Sequence, residues 1–177
     1  MVTGALLVGS AGVWAQGGVP LQSIASLDVP RYLGRWYEVA KFPNRFQKKC
    51  LSDTSATYSL LPGGSLRVLN QCRLANGEMD QAVGEARQIG EATSPRLQVR
   101  FAPAWLSVLP FVWGDYWVVD LDEVYELVAV SETKREYLWI LSRTPQVDAN
   151  RYAALIGRLA AMGLDVSKLE KTAHQAP

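Results

Sequence analysis

The feature that most constrains the fold is a series of short apolar runs separated by turn residues. The runs are rich in Val, Tyr, Trp, Leu and Thr, and turn signals such as Pro62-Gly63-Gly64 and Asn76-Gly77 lie between them. Eight runs are found, at residues 36–40, 54–61, 65–72, 79–90, 96–101, 116–121, 125–130 and 137–142. Since a glycine-rich turn between two such runs is typical of a hairpin, the pattern predicts antiparallel strands.

Helical spacing of apolar residues is clearest over residues 146–162, where Asp148 is suited to cap the first turn and Gly163 to end the helix. The residues that recur at this spacing are Tyr152, Leu155, Ile156 and Leu159. A short helical turn is also predicted over residues 27–33. Together these elements predict an all-β protein, an eight-stranded antiparallel up-and-down β-barrel with a C-terminal α-helix. The interior of such a barrel holds side chains or one small ligand.

The composition limits the classes of function. The 177 residues suit one domain, and 49% hydrophobic with 20% charged residues indicates a globular protein. A net charge of +1 gives no basic excess for binding nucleic acid. The sole histidine, His174, lies in a polar C-terminal stretch, so we expect neither a metal site nor a cofactor.

The N-terminal segment resembles a secretory signal peptide. Residues 4–13 form an apolar run too short to span a bilayer, and Val13-Trp14-Ala15 suits cleavage after Ala15. The alternative is a buried first segment of the domain. We therefore expect a signal peptide at 1–15, an extension at 16–26, the main domain at 27–170 and a tail at 171–177. In an exported chain Cys50 and Cys72 are expected to form a disulfide; otherwise they are buried thiols.

Three separated motifs resemble those of the lipocalin family, and in particular of its bacterial outer-membrane and apolipoprotein D branches. They are Gly34-x-Trp36 in "YLGRWYEVAKFP", Gly114-Asp115-Tyr116 in "WGDYWVVDLD", and Arg143 in "YLWILSRTP". The likeness covers about residues 27–170. It implies that Trp36 closes the barrel floor with the Arg143 guanidinium stacked on its indole, and that Gly34 lets the strand enter without a clash.

The alternation of side chains along a strand predicts which residues face the interior. It puts Glu38 and Ala40 on the inner side with Trp36. For the Glu38 carboxylate, a hydrogen bond or ion pair inside the barrel and solvation through the open end remain alternatives.

The resemblance also implies a set of ligand-binding residues on the inner face. They are Tyr58, Asn70, Phe101, Tyr116 and Trp139, and the alternation along the first strand adds Glu38. The resulting cavity is apolar with a few fixed polar groups, which suits a fatty acid, a lysophospholipid or a related acyl lipid. Packing in the core is the alternative role for each of them taken singly.

The resemblance implies a non-enzymatic lipid carrier of the bacterial periplasm, associated in some relatives with the outer membrane. A lipid-modifying enzyme is an alternative, although neither a histidine nor a free cysteine suits catalysis in the barrel. A further alternative is an envelope chaperone that uses the uncharged stretch of residues 105–113. That stretch is also expected to contact a membrane or a second copy of the chain, or to fold back over the barrel. Its large apolar side chains are Trp105, Leu106, Leu109, Phe111 and Trp113.

Overall fold

Eight antiparallel strands close into a barrel in the computed structural model, which describes residues 20–102, 109 and 112–175. The strands are β1 (Gly34–Lys41), β2 (Ser52–Leu60), β3 (Leu66–Arg73), β4 (Met79–Gln88), β5 (Arg96–Arg100), β6 (Gly114–Leu121), β7 (Leu127–Ser131) and β8 (Leu138–Ser142). Each strand pairs with the next along the chain, and β1 also pairs with β8, which completes the ring. The predicted up-and-down barrel is therefore confirmed.

Helix α2 (Ala149–Ala161) packs on the outside of this barrel, as the sequence predicts. The Asp148 side chain caps its first turn by accepting hydrogen bonds from the amides of Asn150 and Arg151. Leu155 and Leu159 are completely buried against the outer wall. The short helix α1 (Val29–Tyr32) runs beneath the barrel. Within the described part of the chain, no helix is long and apolar enough to cross a membrane.

Strand β7 begins two residues later than predicted, at Leu127. Tyr125 lies in the preceding turn, where its backbone φ is 61°. The Tyr125 hydroxyl accepts a hydrogen bond of 2.9 Å from the amide of Asp28, and the Arg31 guanidinium lies 4.0 Å from its ring centroid. Tyr125 therefore fastens the N-terminal segment to the closed end of the barrel instead of extending the strand.

The prediction that Ala40 faces the interior is wrong. The register between β1 and β8 shifts between Glu38 and Ala40, so the chain makes a bulge at Val39. Because a one-residue shift reverses every side chain beyond it, Ala40 packs into the core between the barrel wall and α2. Glu38, before the bulge, stays on the inner side beside Leu141.

The chain remains paired with the barrel beyond residue 171, where the sequence analysis placed the start of a tail. Strand β9 (Glu170–Lys171) pairs with β1, and Ala173 bridges to Ser52 of β2. The C-terminal segment thus fills the gap where β1 and β2 diverge. His174 is part of this packing, since its Nε2 lies 2.7 Å from the carbonyl oxygen of Glu38.

Candidate ligand-binding site

A tryptophan and an arginine close one end of the barrel. Trp36 is completely buried, and the Arg143 guanidinium carbon lies 3.9 Å from its ring centroid. The Arg143 guanidinium also donates to the backbone carbonyls of Arg31, Arg35 and Tyr125 at 2.7, 3.0 and 3.2 Å. Gly34 has a φ of +95°, and a Cβ there would lie 3.3 Å from Arg143 Nη1. A single guanidinium therefore joins α1, β1 and the turn before β7.

Three tyrosines form a second layer above this floor, and we call them the tyrosine triad. The Tyr116 hydroxyl lies 2.7 Å from that of Tyr32 and 2.9 Å from that of Tyr58. Tyr58 on β2 and Tyr116 on β6 reach towards each other from well-separated strands of the barrel, and their ring centroids are 6.2 Å apart. The triad therefore spans the interior of the barrel. Trp36 lies beneath it, with its ring centroid 5.0 Å from that of Tyr32.

The triad consists of neutral phenols. Burial raises the pKa of Tyr58 to about 12, and the hydrogen bond with Tyr116 opposes this rise. Burial also raises the pKa values of Tyr32 and Tyr116 well above 10. Both neighbouring phenols add to the rise for Tyr116, whereas for Tyr32 the Tyr58 phenol adds to it and the hydrogen bond with Tyr116 opposes it. These groups stay protonated at neutral pH, so the triad acts as a source of hydrogen-bond donors rather than of charge.

Burial on the inner face changes sharply along the barrel axis. Towards the closed end, inner side chains are at most 8% exposed: Trp36, Ala56, Tyr58, Leu66, Val68, Ala86, Leu97, Val118, Val128 and Leu141. Towards the open end most inner residues remain accessible, although Glu38 and Val130 are buried there. We call the accessible set the cup: Asn70, Ala82, Gly84, Val99, Phe101, Gly114, Tyr116 and Trp139. The closed half is therefore packed solid, while the open half is a recess lined by aromatic and small residues.

Phe101 reaches the cup although it lies just beyond the end of β5. Its ring lies against the backbone of Gly84, where an added Cβ would meet the ring at 2.7 Å and the Arg100 carbonyl oxygen at 2.5 Å. The aromatic side chain is 46% exposed. The absence of a side chain at Gly84 thus makes room for an aromatic wall at the mouth.

A glutamine from the loop between β1 and β2 reaches the rim of the cup. Gln47 Oε1 accepts from Trp139 Nε1 at 2.9 Å and from Asn44 Nδ2 at 2.7 Å, while its amide nitrogen donates to the Glu38 carboxylate. Glu38 is 2% exposed and also accepts from Thr172 Oγ1 at 2.6 Å. The carboxylate is thus held by protein groups, and it orients Gln47 instead of facing the recess.

A disulfide fixes the same loop to β3. Cys50 in the loop is bonded to Cys72 on β3, with their Cα atoms 5.5 Å apart. The loop is therefore held at Gln47 and again at Cys50, next to the 3₁₀ turn of Arg45–Gln47. The expected disulfide is confirmed, and it acts as a brace for one side of the rim.

The structure separates the predicted ligand-binding residues into two groups. Asn70, Phe101, Tyr116 and Trp139 belong to the cup, whereas Tyr58 and Glu38 are buried and bonded to other side chains. Asp115 lies on the outer surface, 3.4 Å from Gln98 Nε2. Sequence reasoning missed Gln47 and Tyr32. The sequence did contain a signal for the helical turn that carries Gln47, because Asn44, three residues earlier, is suited to cap such a turn.

The uncharged stretch of residues 105–113 falls largely outside the described residues, including Trp105, Leu106 and Phe111. Leu109 is half-buried. Trp113 packs on the outer wall, where the Arg87 and Arg100 guanidinium carbons lie 4.0 and 5.2 Å from its ring centroid. Its stacking between arginines makes Trp113 part of the barrel wall rather than of an apolar tip.

A separate groove of about 630 Å³ lies outside the barrel, along the C-terminal segment. Its lining includes the polar side chains of Asp53, Arg73 and His174 as well as the apolar ones of Met79 and Pro145. Hydrogen bonds from Arg73 and the Gln175 amide lower the pKa of Asp53, although burial opposes them. Asp53 is paired with Arg73 and lies 3.9 Å from His174 Nδ1. Among the described residues no cluster of metal-ligating side chains is found.

Comparison with known proteins agrees with this geometry. A family model described as a lipocalin-like domain matches residues 27–174. The chain belongs to the lipocalin family. This lipocalin is 42% identical over 154 residues to temperature-induced lipocalin-1 of Arabidopsis thaliana, which covers 86% of this chain and 82% of the relative. It is 38% identical over 146 residues to the outer membrane lipoprotein Blc of Escherichia coli, with 82% and 78% covered.

The lipocalin is also 34% identical to mouse apolipoprotein D over 154 residues, which covers 83% of this chain and 77% of the relative. Insecticyanin from the tobacco hornworm Manduca sexta shares its fold, with a TM-score of 0.68 at 17% identity over 89% of this chain and 86% of that one. Lipocalins are known for binding small hydrophobic ligands and are generally binding or transport proteins rather than enzymes.

Proposed function

We propose that this lipocalin carries an acyl lipid, such as a fatty acid or a lysophospholipid, with the acyl chain in the cup. The observation that carries the proposal is the step in burial along the inner face. Inner side chains below the tyrosine triad are closely packed, whereas most of those above it remain accessible. An accessible recess with aromatic walls and a few fixed polar groups is typical of a small-molecule site.

The dimensions of the cup limit how much of a lipid it takes. The cup spans about two rows of inward side chains on tilted strands, which gives a depth of roughly 10 Å. About six buried methylenes would contribute about 5 kcal/mol before the entropic costs of binding. We therefore expect the recess to hold part of a long chain or a short chain completely, with the remainder at the rim.

The rim has features that favour contact with a membrane surface. Phe46 and Leu51 on the braced loop are 58% and 66% exposed, and Lys48 and Arg45 beside them are also exposed. Apolar side chains interleaved with cations suit an interface that contains anionic lipid. We propose that this loop, together with the segment of residues 105–113, approaches the bilayer when lipid is exchanged.

The location that we propose is the bacterial envelope, either periplasmic or at the outer membrane. The similarity to Blc, named an outer membrane lipoprotein, supports this location. The disulfide between Cys50 and Cys72 supports an oxidising compartment. Because a similar lipocalin occurs in a plant, membership of the family does not by itself distinguish the bacterial envelope from other locations.

A pair of matched substitutions on one strand tests the site. Ala82 faces the cup, while Val83 beside it faces outward and is 51% exposed. We expect Ala82→Trp to fill the recess and weaken binding of a fluorescent fatty acid to delipidated protein at least tenfold, or about 1.4 kcal/mol. Val83→Trp should change the Kd less than twofold. Equal Kd values for Ala82→Trp and the wild type would refute the proposal.

A further inference from the structure

We propose that the tyrosine triad donates one hydrogen bond to an uncharged oxygen at the inner end of the ligand. The preferred class of ligand would then be an acyl lipid that carries a hydroxyl or carbonyl group on its buried portion. This inference rests on the proposed function, because it concerns the floor of the same cup.

Counting protons in the triad leads to the inference. Three phenols carry three O–H donors, and the triad contains two hydroxyl contacts, at 2.7 and 2.9 Å. Each contact uses one proton, so one O–H is left over in every arrangement of the hydrogens. Among the described residues, the triad hydroxyls have no other hydrogen-bond partner. One donor therefore remains for a group outside the described chain.

The surroundings of the three phenols determine where this donor points. Tyr32 is completely buried and Tyr58 is 4% exposed, so neither hydroxyl faces accessible space. Tyr116 is only half-buried, and it is the central member that contacts both others. The proposal rests on the arrangement in which Tyr32 and Tyr58 both donate to Tyr116, which leaves the spare proton on Tyr116, the one member of the triad that also lines the cup.

The absence of charged residues from the cup favours an uncharged acceptor on the ligand. No member of the cup is a charged residue. The Arg143 guanidinium is beneath Trp36 and already donates to three backbone carbonyls. A carboxylate at the floor would therefore lose its hydration without gaining a counter-charge. A hydroxyl or carbonyl oxygen needs only the single donor that the triad offers.

A plain hydrocarbon end would bury the spare donor without a partner. Covering it with a methyl group removes water from the hydroxyl and returns nothing, whereas an oxygen at the same point restores the hydrogen bond. Sites built around a buried polar group discriminate against ligands that lack its partner. We expect a preference of about tenfold, on the scale of one such bond.

The test compares decanoic acid with its ω-hydroxy derivative on the full-length protein by calorimetry. The measured quantity is the ratio of the two Kd values, because each ligand's own hydration cancels between variants. In Tyr116→Phe both triad contacts are lost, and the remaining phenols are buried away from the cup. We expect the ratio to shift about tenfold towards the plain acid in this variant.

Two further variants make the result specific. Tyr58→Phe removes one proton and one contact together, so the spare proton stays on Tyr116 and most of the preference should remain. Tyr152→Phe on α2, outside the barrel, controls for the loss of a tyrosine. Thermal melts of each variant establish that it is folded.

The outcomes separate this inference from the proposed function. If both acids bind and Tyr116→Phe leaves the ratio of Kd values unchanged, the inference is overturned while the lipid-binding site stands. If Tyr58→Phe shifts the ratio as much as Tyr116→Phe does, the proton count is wrong and the inference fails. If neither acid binds the wild type, the proposed function fails together with it.

Discussion

Replacing Arg143 is the most direct test of how the closed end is held together. The guanidinium lies 3.9 Å from the Trp36 ring centroid and donates to three carbonyls on separate segments. Arg143→Met keeps much of the aliphatic stem but removes the charge and all the donors. Arg143→Lys keeps the charge but replaces a planar, multi-donor group with a single ammonium.

The expected loss follows from these contacts. The stacking of a cation on an indole contributes about 0.5–2 kcal/mol. Each hydrogen bond contributes about 1 kcal/mol net, and water would replace part of the two that lie in exposed surroundings. We therefore expect Arg143→Met to lower the free energy of unfolding by about 2–4 kcal/mol, and Arg143→Lys by about half as much.

Urea unfolding followed by tryptophan fluorescence measures this loss. For a chain of this size, the same loss would lower the Tm by roughly 5–15 °C. Arg67 is an exposed arginine on the outer face of β3, so Arg67→Met is the matched control and should stay within about 0.5 kcal/mol of wild type. A loss for Arg143→Met no larger than for Arg67→Met would refute the reasoning, as would equal losses for Arg143→Met and Arg143→Lys.

Two predictions concern the disulfide and the tyrosine triad. Replacing Cys50 and Cys72 with serine opens a loop with a sequence separation of 22 residues, so we expect about 3 kcal/mol less stability by urea unfolding, and an unchanged midpoint would contradict this. The pKa of Tyr58 is raised from 10 to about 12, so its contribution to stability is fully present below about pH 10 and is lost as the pH rises through about 12. Ultraviolet titration should therefore show the triad ionising only with unfolding, and ionisation of all seven tyrosines near pH 10 in the folded protein would disprove it.

The step in burial along the barrel indicates that different halves of the barrel provide stability and ligand binding. The packed lower half, with Trp36 and the tyrosine triad, supplies the core that a small barrel needs. The accessible upper half has small residues on β4, such as Ala82 and Gly84, where a packed core would have large ones. Substitutions in the cup should therefore affect binding more than folding, and those at the floor the reverse.

The sequence by itself determined the strands, the helix and the closed end. Period-two alternation and glycine-rich turns depend on residues within a few positions of one another, so the eight strands could be predicted with errors of one or two residues at most boundaries. The motifs that contain Trp36 and Arg143 identified the closed end of the barrel, because the resemblance implied that these two side chains stack on each other. The alternation also put Asn70, Tyr116 and Trp139 on the inner face.

Only the tertiary structure decided the features that depend on distant contacts. The bulge that turns Ala40 outward is a property of the pairing with β8, and Gln47 meets Trp139 across 92 residues of chain. Tyr32 joins Tyr116 across 84 residues, a contact on which the spare proton depends. Local patterns carry no information about such pairs, because the free energy that selects them arises when the barrel closes and its interior loses water.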